Sequence, residues 1–210
     1  MKLVLASNNA GKLAELQALF APLGVELVAQ GELDVPEAPE PHCTFVENAL
    51  AKARNAALYT GLPAIADDAG LCVEAFGGRP GVDTAYYATL FGYAKSDDNN
   101  VVALLEQMAG IDDRRAALVS TLVAVRSATD PEPLIAAGRA AGLITHEPIG
   151  DKGFGFDPVM WLPEFEQTFA QLPVEVKNAN SHRGKASQIM LGLIRQRWLE
   201  PQPSHHPTAV

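Results

Sequence analysis

The stretch Leu3-Val4-Leu5-Ala6-Ser7-Asn8-Asn9-Ala10-Gly11-Lys12 passes from four apolar residues into turn formers and then to a lysine. Its apolar start has the length and character of a buried strand, and residues 7–11 are turn-forming. Leu13, Leu16, Leu19 and Phe20 then recur at helical spacing until Pro22 and Gly24 stop them. Strand, tight turn and helix in that order open an α/β fold.

The pattern continues outward. Residues 27–29 read as a second strand, and the proline-rich residues 36–41 as an exposed loop. Thr44 and Glu47 have the spacing of a capping box for a helix that runs to Thr60 and stops at Gly61. Residues 64–66 form a strand that ends at Asp67-Asp68, and residues 71–76 form another after Gly70. Ser96 caps a helix over 97–108. Residues 115–126 and 134–144 pair as antiparallel strands around Asp130-Pro131. The glycine-rich residues 150–157 lead into a strand at 159–162, and Ser181 caps a helix to about residue 199. The expected architecture is α/β, a mixed central sheet flanked by helices, over one domain spanning residues 1–200. Residues 201–210 are polar and proline-rich and are expected to be a disordered tail.

The 210 residues suit one large domain or two lobes sharing one sheet. A net charge of −9 argues against broad charge-driven binding to nucleic acid or to an anionic membrane. No apolar run approaches the roughly 20 residues that span a bilayer. The chain enters its first strand without a signal-peptide pattern, so a cytosolic protein is expected. Cys43 and Cys72 are too few for a disulfide framework and read as small buried residues.

Four stretches carry possible chemistry. Ser7-Asn8-Asn9-Ala10-Gly11-Lys12 offers free amides, a helix N-terminus and a cation to a phosphate. It lacks the first glycine and the hydroxyl of a Walker loop. Asp67-Asp68-Ala69-Gly70 places paired carboxylates after an apolar strand, where a hard cation such as magnesium would offset them. Gly153-Phe154-Gly155-Phe156-Asp157-Pro158 can set a ring face and backbone groups against a base. Lys177-Asn178 and Ser181-His182-Arg183-Gly184-Lys185 gather cations at a helix N-terminus, where the dipole disfavours them unless an anion is near. Lys52, in the helix capped by Thr44, is a weaker fifth feature. Each also admits an ordinary reading: a strand-helix turn, a solvated Asp-Asp turn, a tight loop around a core phenylalanine, a surface histidine. The four together point to a nucleotide.

The blocks SNNAGK (7–12), TFVENALAKA (44–53), ADDAGL (66–71), GFGFDP (153–158) and SHRGKA (181–186) resemble, in order, those of the inosine triphosphate pyrophosphatase family. The resemblance covers nearly the whole chain. It implies a nucleotide cleft between two lobes, a homodimer, magnesium as cofactor and hydrolysis of ITP, dITP and XTP to monophosphate and pyrophosphate. It also implies that residues 7–12 bind the triphosphate and that Asp68 is general base and metal ligand, with Asp67 in support. The second metal carboxylate is Glu40 or Glu37. Lys52 neutralises phosphate charge, while Phe154, Gly155, Phe156, Asp157, Lys177, His182 and Arg183 contact the nucleotide. Donors for a 6-oxo group come from the backbone near His182 and Arg183.

Two positions depart from the family. Ala69 stands where a serine is usual, so the side-chain hydrogen bond that a serine would offer the substrate is missing. Thr84-Ala85-Tyr86 lacks the arginine usual at its last position, for which Arg79 is a candidate replacement.

Overall fold

The computed structural model describes residues 1–200. Among them one sheet of seven strands has the order β2-β1-β3-β4-β5-β6-β7. Strand β1 (Lys2–Leu5) pairs in parallel with β2 (Glu26–Ala29) and β3 (Ala64–Val73). From β3 onward the ladder is antiparallel, through β4 (Arg115–Val125), β5 (Leu134–Ile144), β6 (Met160–Leu162) and β7 (Gln167–Thr168). The mixed sheet expected from the sequence is present.

The helices follow from their caps and apolar faces. In α1 (Ala10–Phe20) the Asn9 side chain accepts from the Lys12 amide, and Leu16 and Phe20 are buried. In α2 (Phe45–Thr60) Thr44 caps the Glu47 amide and Gly61 ends the helix in the left-handed region at φ 66°. Its buried face is Ala49, Ala53, Ala56 and Ala57, small residues that bring the helix close to the sheet. Helix α3 (Asp97–Gln107) is capped by Ser96 and buries Val101, Ala103 and Leu104. A short α4 (Val174–Asn180) precedes α5 (His182–Ile194), which Ser181 caps at the Gly184 amide.

Three apolar clusters cover the sheet. Side chains of β3 alternate between its faces. Ile65 packs with Leu5, Leu122, Leu16 and Met190 under α1 and α5. Ala64 and Ala66 face Val123, Val125 and the alanines of α2. Further along the same strands Leu71, Val73 and Leu118 join Leu104, Met108, Ile144, Met160 and Phe169 in a separate core. Burying a leucine of this kind contributes roughly 2 to 3 kcal/mol. Long strands bearing two cores along their length make two lobes on one sheet, with Asp67 and Asp68 between them.

Several expectations are corrected. The two strands expected at 64–66 and 71–76 are one strand, β3, with Asp67 and Asp68 inside it. Its register against β4 is unbroken through Asp67↔Leu122, Asp68↔Thr121 and Ala69↔Ser120. Residues 74–76 turn off as a 3₁₀ segment. Residues 81–91, where no element is expected from the sequence, form a 3₁₀ run. The last helix reaches Leu199 as expected, but only its part to Ile194 is α-helical, and Arg195–Leu199 is π-helical. Cys43 is exposed, because it lies in the loop just outside the cap of α2, and Cys72 is half-buried. The tail expected over 201–210 lies outside the described residues.

Gly70 permits one close approach that shapes the site. A Cβ there would lie 2.2 Å from the Gly81 carbonyl oxygen and 2.5 Å from Thr84 Oγ1, so only glycine lets the 3₁₀ run close over β3.

Candidate active site

Strand alternation separates the two acidic residues. Asp67 continues the face of Ile65 toward α1 and α5, and Asp68 continues the face of Ala66 toward α2.

Asp67 is only 1 % exposed. Ser120 Oγ donates to its Oδ1 at 2.6 Å, while Lys12 Nζ and Arg183 Nε lie 3.0 and 3.1 Å from its Oδ2. Burial pushes its carboxyl up, but Arg183, Lys12 and the Ser120 hydroxyl outweigh burial and hold it well below the usual range. Arg183 also pairs with Glu15 of α1.

Asp68 has a different environment. Lys52 Nζ donates to Asp68 Oδ1 and to Glu40 Oε2, both at 2.8 Å, and to the Asp67 carbonyl oxygen at 3.2 Å. Lys12 reaches the same carbonyl at 3.4 Å, so the two lysines approach one point of β3. Burial raises the Asp68 carboxyl and the neighbouring Glu40 adds to this, against the lowering by Lys52. Glu40 is lowered, because Lys52 overcomes its partial burial. The Asp68 Oδ2 atom is buried and has no hydrogen-bond partner. Asn8 Nδ2 donates to Glu37 at 3.2 Å, which ties the first loop to the proline-rich one.

The other end of the cleft is built around Phe154. Lys177 Nζ lies 4.7 Å and the Arg183 guanidinium 5.7 Å from its ring centre. Asp157 accepts from the Phe154 amide at 2.9 Å and from Lys177 Nζ at 2.7 Å. Gly155 N donates to Asp97 at 3.0 Å, so α3 braces the loop. Lys177 lies 3.4 Å from Glu15, which thereby joins both ends of the cationic cluster.

Most of these groups line a depression with two adjoining ends; Asp68 is not among the residues that line either end and meets the depression through Lys52. Its aromatic end encloses about 810 Å³, open solvent included, and is bounded by Ala69, Asn100, Phe154, Asp157, Lys177 and His182. Its other end is bounded by Ser7, Asn8, Glu37, Glu40, Lys52 and Asp67. Asn9, Lys12 and Ala85 border both ends. Ala10 and Gly11 sit in the first turn of α1, and a Cβ on Gly11 would lie 3.7 Å from the Phe154 ring. Phe156 and Gly155 complete the aromatic wall. Arg79 is not among the residues lining either end, whereas Tyr86 is.

Several lining residues were not singled out in the sequence, Glu15, Asp97, Asn100 and Lys95 among them. Glu15 lies three residues after Lys12 on one helix face, a spacing that could have flagged it. Asp97 and Asn100 look like cap and core residues of α3. Lys95 has no sequence signal.

His182 is almost wholly buried. Burial first, then the Arg183 charge, pushes its imidazole from 6.5 down to about 3. It is therefore neutral in the folded protein at neutral pH, while the unfolded chain protonates it below about pH 6.5. The unfolded state then binds the extra proton, and stability falls as pH drops from 6.5 toward 3. At about pH 4.5 the loss due to this residue is roughly 2.5 kcal/mol. Between about pH 7 and about pH 4.5 the urea midpoint should fall more for the wild type than for His182→Gln. Equal falls would remove His182 as the cause.

The profile of the Ham1 family matches residues 3–192. A dITP/XTP pyrophosphatase of Albidiferax ferrireducens is 74 % identical over 199 residues, covering 95 % of this chain and 100 % of the relative. One of Polaromonas naphthalenivorans is 73 % identical over 202 residues, with 95 % and 100 % covered. The solved structure of a HAM1 protein from Coxiella burnetii superposes with a TM-score of 0.87 at 40 % identity, covering 93 % of this chain and 99 % of that one. The match spans both lobes and the cleft between them, and the protein belongs to the Ham1 family.

Proposed function

We propose that the chain hydrolyses the α–β phosphoanhydride of ITP, dITP and XTP, giving the monophosphate and pyrophosphate, with magnesium as cofactor. The observation that carries this is a buried carboxylate, Asp68, held by Lys52, which lines one end of a cleft whose other end is aromatic and cationic. Relatives at this identity are dITP/XTP pyrophosphatases, which supports the substrate class.

The residues fit a magnesium ion. Asp68 Oδ2 is buried and unpartnered, and Glu40 stands beside it on the shared Lys52. Among the described residues no group of three or more His, Cys, Asp or Glu side chains forms a metal cage. Magnesium needs none, since it takes one or two carboxylates, waters and substrate phosphate. When bound, it neutralises phosphate charge and acidifies water.

Asp68, with its raised carboxyl, takes the proton from the attacking water. Lys12, Lys52 and the amides of residues 7–12 stabilise charge on the phosphates as the bond breaks. The base lies against Phe154, oriented by Asp157, Lys177 and Arg183. The first-turn amides of α5, at His182 and Arg183, have no intrahelical acceptor and suit a 6-oxo group. Adenine would oppose a donor with its own 6-amino group, at a cost of a few kcal/mol. A cytoplasmic homodimer that binds neither nucleic acid nor membrane completes the proposal. The net charge of −9 speaks against charge-driven binding to nucleic acid or an anionic membrane, and no helix among the described residues is long and apolar enough to cross a membrane.

A panel of ITP, dITP, XTP, GTP and TTP with and without magnesium tests the reading. The first three should exceed GTP and TTP by at least about 100-fold in kcat/KM, and chelation should abolish turnover. Preference for TTP would indicate a pyrimidine or modified-nucleotide pyrophosphatase. Nucleotide binding without turnover would indicate a binding module.

A further inference from the structure

The phosphate end of the cleft contains three lysines, and their charges are not equally available. Lys12 is paired with Asp67, and Lys52 is paired with both Asp68 and Glu40. Lys95 lies on the same end, in the wall formed by the segment that follows the 3₁₀ run. Among the described residues no carboxylate pairs with it. Its ammonium instead sits 4.0 Å from the centre of the Tyr86 ring, which also lines that end. Lys95 does not border the aromatic end.

A triphosphate brings several negative charges into this space. Glu37, Glu40 and Asp67 already line it, so the paired lysines are largely spent on protein carboxylates. Binding needs a cation that is both uncompensated and held in place. The tyrosine face supplies the second condition, since it restrains a long flexible side chain without neutralising it.

We infer that Lys95, seated on Tyr86, binds the outer phosphates of the substrate from the second wall of the cleft. This rests on the reading that the cleft takes a nucleoside triphosphate. Lys95 acts on binding and on release of pyrophosphate, and the proton transfer stays with Asp68.

The test compares wild type with Lys95→Gln, Lys95→Arg and Tyr86→Leu in the full-length protein. Steady-state kinetics with XTP at saturating magnesium should show KM raised about 5- to 20-fold in Lys95→Gln, with kcat changed less than about threefold. Calorimetric binding of inorganic pyrophosphate should weaken by a similar factor, and binding of XMP should stay within twofold. Lys95→Arg should restore both values to near wild type. Tyr86→Leu should move KM in the same direction by a smaller factor without lowering the melting temperature. An unchanged pyrophosphate affinity in Lys95→Gln overturns the inference, and so does an equal loss for XMP. Calorimetry does not depend on turnover. A wild type that binds pyrophosphate but does not hydrolyse XTP would overturn the hydrolase reading while leaving the Lys95 result intact.

Discussion

Replacing Asp68 by asparagine is expected to slow pyrophosphate release from XTP by about 1,000-fold, the range for loss of a general base. The side chain keeps its size and can still accept the hydrogen bond from Lys52, but it can no longer hold a proton taken from water. Its place in the ladder opposite Thr121 is unchanged. Lys52 keeps Glu40 as a carboxylate partner, so no cation is stranded. The melting temperature should therefore move by only a few degrees. Turnover within tenfold of wild type would assign the base elsewhere, and Glu40 would be the next residue to replace. A large loss of thermal stability would show that Asp68 serves the fold as well.

The parts of this structure that were legible in the sequence are those written in local chemistry. Thr44 with Glu47, Ser96 and Ser181 announce their helices because a capping side chain bonds an amide three residues away. The turn at Asp130-Pro131 likewise fixes where β4 gives way to β5. The middle of β3 was harder to read. Two adjacent carboxylates on an apolar strand look like its end, because an unpaired buried charge is costly. Their compensation comes from Lys12, Lys52 and Arg183, far away in the chain, and no local pattern reveals it. Glu15 has one local hint, its spacing from Lys12, but only α5 makes it a partner of Arg183 and Lys177. The 3₁₀ run over residues 81–91 has no helical or strand periodicity. It folds onto β3 because Gly70 leaves room for it, and it brings Ala85 and Tyr86 to the cleft.

The second large effect concerns stability. Asp67→Ala is expected to destabilise the protein by about 3 to 5 kcal/mol, the cost of leaving buried charge uncompensated. Arg183 is 3 % exposed and Lys12 is mostly buried, and both point at Asp67 Oδ2. Without that carboxylate Arg183 retains Glu15, but Glu15 must already serve Lys177. Lys12 would lose its only paired carboxylate among the described residues. Ser120, fully buried, would lose the acceptor of its hydroxyl. Asp67→Asn keeps an acceptor for Ser120 and should cost less. The lowered carboxyl of Asp67 gives the pH dependence its sign. Its contribution is full above the ordinary value of 3.8 and is lost as pH falls below that value toward its folded pKa. Asp67→Ala should therefore lose less stability on acidification below about pH 4 than the wild type does. A double-mutant cycle with Arg183→Met separates pairing from packing, since removing both charges leaves less stranded than removing Asp67 alone. The double variant should be more stable than the sum of the single losses predicts, by about 1 to 3 kcal/mol. Strict additivity in urea denaturation, or a loss below about 1 kcal/mol for Asp67→Ala, would mean the cluster is not a coupled unit. If the coupling is found, the same contacts that join α1 and α5 to β3 also set the phosphate loop against the base-binding wall. Asp67 would then be required for catalysis through position, by fixing Lys12 and Arg183, without itself handling a proton.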